Sequence, residues 1–106
     1  MRALVVALIG VLAAAVAAAS DPAPASQAAR SLAATCAACH GTDGRSEVPG
    51  TPLLAGLERE FIITRLKTFR EPASKGQAMH HLAIGYTAEQ EALVADYFSS
   101  LGKEAR

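Results

Sequence analysis

Both cysteines of the 106-residue chain lie in one short segment, residues 36–40, which reads CAACH. Residues spaced i, i+3 and i+4 share one face of a helix. Two thiols on such a face can form thioethers with the two vinyl groups of one porphyrin, while the imidazole that follows is directed at the iron. The segment therefore predicts one covalent haem c, attached through Cys36 and Cys39, with His40 as an axial iron ligand.

Two cysteines at this spacing have three other uses in proteins. A redox-active dithiol lies at the start of a helix in a βαβ unit, where the helix dipole lowers the thiol pKa, whereas this pair falls at the end of a predicted helix and no strand is predicted. A closed zinc site would combine both thiols with two of His40, His80 and His81, but it lacks the second short-spaced ligand pair of a zinc finger. A plain disulfide would leave His40 without a role. Haem attachment remains the preferred interpretation.

Met79 is the leading candidate for the second axial ligand, because it is the one Met beyond the N-terminal segment. Ligation by His and Met raises the reduction potential of a haem iron. His80 and His81 follow directly and stay open as competing ligands; otherwise they face solvent or contact the haem propionates. A ligating His usually donates its other ring N–H to a carbonyl or carboxylate, and Pro49 or Pro52 is expected to supply that carbonyl.

Residues 1–19 have the pattern of a secretory signal peptide. Arg2 is followed by an apolar, Ala-rich stretch that ends in three alanines at 17–19, and a small-x-small end of this kind is typical of a cleavage site. A membrane-spanning helix needs about 20 strongly apolar residues, so we expect cleavage near Ala19, export to the periplasm and no stable membrane insertion. Residues 20–25 predict a flexible segment, and residues 26–106 predict a single domain.

The charge composition bears on the class of partner. Ten Lys and Arg balance ten Asp and Glu, whereas a nucleic-acid-binding domain usually carries a basic stripe, so nucleic acid is not an expected partner. A domain of this size usually needs a disulfide, a metal or a cofactor to supplement its core. A haem would do so, with Leu53, Leu54 and Ile84 covering the porphyrin faces.

Three helices joined by two long loops are expected to position the site, which predicts an all-α fold. Ser26 can cap a first helix that ends near Cys39, and residues 41–56 form a loop rich in Gly and Pro. Residues 57–70 predict a second helix, which Pro72 ends. Its apolar stripe is Leu57, Phe61, Ile62, Leu66 and Phe69.

Residues 71–86 predict a second irregular segment with room for one helical turn. Thr87 and Gln90 then form a capping box, which predicts the start of the third helix, and Gly102 is the expected C-cap. The buried face of that helix is expected to contain Leu93, Val94, Tyr97, Phe98 and Leu101.

The sequence resembles the small bacterial class I cytochromes c over nearly all of residues 30–101. Within it, residues 79–98 are similar to a narrower group, the cytochrome subunit of flavocytochrome c sulfide dehydrogenase. Pro72 and Ile84 depart from that group, in which Gly and Lys are expected. The marks of the resemblance are CAACHG at 36–41, PLLAG at 52–56, Leu66 to Phe69, Met79, the Gly-Tyr pair at 85–86 and Tyr97-Phe98.

This resemblance implies a class I cytochrome c fold, with three main helices and long loops wrapped around one covalently bound haem. It implies thioethers at Cys36 and Cys39 and axial ligation by His40 and Met79. It also implies that the first helix packs against the last, near Leu32 and Tyr97.

The implied function is that of a periplasmic monohaem electron carrier, not an enzyme, that accepts single electrons from a flavoprotein sulfide dehydrogenase. The better-known members of the narrower group carry two haem domains, whereas one C-x-x-C-H segment permits one haem. Two alternatives stay open: a free-standing soluble carrier for a respiratory chain, and a haem sensor that binds a small gas or peroxide when Met79 dissociates.

Overall fold

The computed structural model describes residues 25–102, and in that range the chain is helical without a β-strand. The predicted all-α class is confirmed. The predicted signal peptide, most of the predicted flexible segment and residues 103–106 lie outside the described residues. The helices are α1 (Gln27–Ala34), α2 (Ala37–His40), α3 (Arg59–Arg70), α4 (Ala78–Ala83) and α5 (Ala88–Ser100), with 3₁₀ turns at Thr42–Gly44 and Pro72–Ser74.

The predicted first helix is divided into α1 and α2. The Ser26 hydroxyl accepts a hydrogen bond from the amide three residues later, at 3.1 Å, so the predicted cap is confirmed. The hydroxyl of Thr35 donates to the carbonyl of Leu32 at 2.7 Å, and side-chain bonds of this kind compete with the helical backbone pattern. At this point the backbone hydrogen bonds join residues three apart, and α1 ends. The next helix, α2, begins at Ala37 and contains the candidate ligand His40.

α3 begins two residues later than predicted and ends at Arg70, as expected ahead of Pro72. Its buried side chains are Ile62 and Leu66. The assignment of Phe61 to the buried stripe is wrong, because that side chain is 52% exposed. Phe61 lies one position before Ile62, and a neighbouring helical position is rotated by about 100° from the one that contacts the core.

α4 is the largest difference from the sequence-based expectation. The sequence predicts an irregular segment over residues 71–86 with room for one helical turn, whereas the segment contains a 3₁₀ turn and a helix of six residues, Ala78–Ala83. Isolated helices of this length are unstable in water, and no side chain caps the N-terminus of α4. Its stability must therefore come from contacts with other elements, which a local sequence pattern does not reveal.

α5 begins as predicted. The Thr87 hydroxyl accepts from the amide of Gln90 at 3.2 Å, and the Gln90 side chain accepts from the amide of Thr87 at 2.9 Å, which confirms the capping box. The helix ends at Ser100 with Leu101 as its C-cap, so the prediction of Gly102 at that position is wrong.

The core lies where α5 packs against α1 and α3, and α4 packs against α3. Leu32 and Tyr97 both pack against this core, as the predicted contact between the first and last helices requires. No described helix is long and apolar enough to cross a membrane. The buried cluster consists of Ala33, Ile62, Leu66, Ala83, Val94, Ala95 and Phe98.

Candidate haem site

His40 ends α2, and its ring is buried, with 8% of the residue exposed. Its Nδ1 lies 2.8 Å from the carbonyl oxygen of Pro52. A carbonyl can only accept, so Nδ1 carries the proton and Nε2 carries the lone pair. The predicted bond to a proline carbonyl is confirmed, with Pro52 rather than Pro49. An imidazole oriented in this way is the form that binds a metal through Nε2.

Cys36 and Cys39 are free thiols at the two ends of one helical turn. The carbonyl of Cys36 accepts hydrogen bonds from the amides of Cys39 and His40, at 3.3 and 2.9 Å. Burial raises the pKa of the Cys36 thiol, against a smaller lowering by Thr35. A redox-active dithiol needs a lowered pKa, so Cys36 lacks the property on which the dithiol alternative depends.

The loop 41–56 folds back on itself and returns Pro52 to the ring of His40. The amide of Leu54 donates to the carbonyl of Gly44 at 2.8 Å, which closes the loop. Gly44 has a φ of +70°, and a Cβ there would lie 2.7 Å from the Cβ of Leu54 and 2.8 Å from Cε1 of Phe98. The closed loop therefore requires Gly at position 44.

Asp43 links the turn after His40 to α5. Its backbone has a φ of 56°, in the left-handed region, which Asp tolerates better than most residues. Its carboxylate accepts a hydrogen bond from the hydroxyl of Tyr97. This bond is the main reason that the pKa of Tyr97 is raised, with burial as a second cause.

Met79 lies on α4, is partly buried, and packs against the same core cluster as Cys36. His80 is also buried, and its Nδ1 lies 2.7 Å from the carbonyl of Phe69 at the end of α3. The expectation that His80 faces solvent is therefore wrong, and a carbonyl of α3 takes up the N–H at Nδ1. His81 is exposed, as expected.

The ligand set of the zinc alternative is not assembled. Within residues 25–102, no group of three or more His, Cys, Asp and Glu side chains is placed to hold a metal ion. The disulfide alternative is not realised either, since both thiols are free.

Cys36 and Met79 pack against one core cluster, and the residue types of this site fit a haem. Two free thiols, an oriented imidazole and a thioether form the donor set of a c-type haem. Arg45 is half-buried, and its buried Nη1 has no hydrogen-bond partner among the described residues, so it can donate to an anion such as a carboxylate. Leu53 and Ile84 are 43% and 57% exposed, so both can cover an apolar macrocycle as expected. Leu54 packs against the protein core.

Sequence reasoning missed Arg70 and Glu91. Nε of Arg70 donates to the carbonyl of Ala83 at 3.2 Å, and its Nη2 contacts the carbonyl of Tyr86 and, at 2.7 Å, Oε1 of Glu91. Glu91 is 2% exposed. It lies one turn before Val94 on the buried face of α5, and a carboxylate on that face is the signal that could have revealed the pair.

No family model matches the chain, but curated proteins are similar to it. The cytochrome subunit of sulfide dehydrogenase from Chlorobaculum tepidum is 40% identical over 73 residues, which are 69% of this chain and 66% of that protein. Cytochrome c-554(548) from Halomonas halodenitrificans is 38% identical over 69 residues, 62% of this chain and 83% of that protein. The thiosulfate dehydrogenase electron acceptor of Thiomonas intermedia is 36% identical over 70 residues, and only 32% of that protein is covered.

The second of these relatives is covered over most of its length, and the helical architecture agrees with the resemblance read from the sequence. The chain belongs to the cytochrome c family and has its class I fold.

Proposed function

We propose that this chain is a periplasmic monohaem c-type cytochrome that carries single electrons and has no catalytic site of its own. The observation that carries the proposal is the hydrogen bond from Nδ1 of His40 to Pro52, beside two free thiols in one helical turn. When bound, the haem supplies a one-electron couple between ferric and ferrous iron.

The protein's part is to attach the haem and to supply both axial ligands. Cys36 and Cys39 would hold the haem through two thioethers, one to each vinyl group, for which both thiols are free. Nε2 of His40 and the sulfur of Met79 would be the two protein donors to the iron. Because protein side chains provide both donors, the chain offers no iron position to a substrate, as expected of a carrier.

Arg45 is the residue that would hold a haem propionate. Its buried Nη1 has no partner within the described chain, and a guanidinium presents a planar set of donors that matches a carboxylate. It lies on the same closed loop as Pro52. Pairing with a propionate would satisfy the buried Nη1 and would neutralise one charge of the cofactor.

Export and processing form a separate part of the proposal. Residues 1–19 would be removed as a signal peptide, residues 20–25 would form a flexible segment, and residues 26–106 would form the monohaem domain. The n-region, apolar stretch and alanine-rich end support this division. N-terminal sequencing of the protein from a periplasmic fraction tests it, with a start near Ser20 as the expected result and an intact Met1 as the contrary one.

The proposed electron donor is a flavoprotein sulfide dehydrogenase. The support is the similarity to the Chlorobaculum subunit, and the matched thiosulfate dehydrogenase electron acceptor is also named for sulfur oxidation. Purification of the native protein at low salt tests this donor. Co-purification with a flavin-containing chain is the expected result, and isolation as a free monomer would instead support a general soluble carrier.

Carbon monoxide distinguishes a carrier from a haem sensor. If Met79 stays bound, the reduced holoprotein should add CO slowly or not at all at neutral pH. Rapid and complete CO binding would contradict the carrier proposal and support a sensor with a labile ligand.

A further inference from the structure

Side chains at the C-terminal end of α3 and on the short helix α4 form hydrogen bonds to each other's backbone carbonyls. The last four carbonyls of a helix have no partner within that helix. The carbonyl of Phe69 near the end of α3 accepts from Nδ1 of His80, at 2.7 Å. In return, Nε of Arg70 donates to the carbonyl of Ala83 at the end of α4, at 3.2 Å. α3 thus holds α4 at two places.

These contacts determine how α4 is rotated about its own axis. Consecutive helix residues point about 100° apart, so a bond that fixes the direction of His80 also fixes that of Met79. Met79 packs against the cluster that Cys36 also contacts, whereas the ring of His80 is bonded to the end of α3. A rotation of α4 that moved Met79 away from this cluster would break the bond between His80 and Phe69.

We propose that His80 is a positioning residue for the distal iron ligand: its hydrogen bond to Phe69 fixes α4 and thereby keeps the sulfur of Met79 on the iron. The inference rests on the proposed function, from which it takes the haem and Met79 as ligand. It also assigns a role to a histidine that the sequence left open as a competing ligand.

The test compares variants of the haem-loaded ferric protein. His80→Asn keeps a side-chain N–H near the position of Nδ1, whereas His80→Leu removes the donor and keeps similar bulk. His81→Leu is the matched control, because His81 is exposed and adjacent. The readouts are the long-wavelength sulfur-to-iron charge-transfer band and the rate of cyanide binding, which requires Met79 to leave the iron.

We expect an intact band and wild-type cyanide rates in His80→Asn and His81→Leu. In His80→Leu the band should weaken and cyanide should bind about fivefold faster, the change expected from one lost net hydrogen bond. If His80→Leu does not load haem, His80→Gln provides the same comparison. The amide nitrogen of Gln lies near the position of Nε2, so it does not replace the donor at Nδ1.

Other results overturn the inference in distinguishable ways. An unchanged band and cyanide rate in His80→Leu, with lower resistance to urea alone, would mean that the role of His80 is structural. If the wild-type protein contains haem but lacks the band, and His80→Leu shows it, then His80 is the ligand in the wild-type protein. A wild-type protein without haem would overturn the proposed function itself.

Discussion

Nη2 of Arg70 lies 2.7 Å from Oε1 of Glu91, and the Glu91 side chain is 2% exposed. The pair connects α3 to α5. Oε1 of Glu91 accepts no well-aligned hydrogen bond, so the nearby guanidinium is what compensates its charge. The other ion pairs within residues 25–102 differ, because Arg59 pairs with carboxylates that are 78% and 51% exposed, and such surface pairs contribute little to stability.

Removal of Arg70 alone should be strongly destabilising. Arg70→Gln leaves the Glu91 carboxylate buried without a cation, which should lower the free energy of unfolding by about 3–5 kcal/mol. The double variant Arg70→Gln/Glu91→Gln leaves no buried charge and should lose less than the sum of the single variants. Urea unfolding of the haem-loaded proteins measures all three. Strictly additive losses would mean that the two side chains are not coupled.

Substitutions at Gly44 and Gly50 distinguish the cost of backbone strain from the cost of insufficient space for a side chain. Both have positive φ, +70° and +83°, but a Cβ would collide with Leu54 and Phe98 at Gly44 and would meet nothing within 4 Å at Gly50. Gly50→Ala should lower the free energy of unfolding by about 1–2 kcal/mol from strain alone. Gly44→Ala should lose at least about 1–3 kcal/mol more, as overpacking adds to strain. Equal losses for the two variants in urea unfolding would contradict the close packing of Gly44 in loop 41–56.

Tyr97→Phe should destabilise the protein at neutral pH but not at strongly alkaline pH. The hydrogen bond to Asp43 raises the pKa of Tyr97 above its ordinary value of 10.0. The raised pKa means that the folded state favours the neutral phenol, so this stability is complete below pH 10.0 and is lost as pH rises through the folded pKa.

The expected loss at neutral pH is about 0.5–1 kcal/mol, since the bond is exposed to solvent. The measurement is the free energy of unfolding of both proteins at neutral and alkaline pH. Asp43→Asn serves as a control, because Asn keeps an acceptor and tolerates the left-handed backbone. A difference that stays constant across the pH range would argue against the bond between Asp43 and Tyr97.

The features predicted correctly from the sequence depend on residues close together in the chain. The capping box of Thr87 and Gln90 is an interaction three residues apart, and the cysteines lie in one turn. The choice between Pro49 and Pro52 was not local, because it depends on how loop 41–56 closes.

The features that were missed depend on distant partners. Hydrogen bonds between α4 and α3 that span 11 and 13 residues stabilise α4, and six residues are too few for a helix that is stable on its own. The burial of His80 and of Glu91 follows from the same arrangement, because a carbonyl of α3 accepts from the His80 ring and a guanidinium of α3 compensates the charge of Glu91. The contacts of α4 could not be inferred from spacing along the sequence, whereas the position of Glu91 on the buried face of α5 was a readable signal.

The haem assignment is tested most directly by the mass and spectrum of the denatured chain, produced in a host that attaches c-type haem. The expected result is a mass increase of one haem that survives denaturation, a reduced pyridine spectrum of a haem with two thioethers, and loss of both in Cys36→Ala/Cys39→Ala. A wild-type chain that carries no covalent haem under these conditions would contradict the assignment.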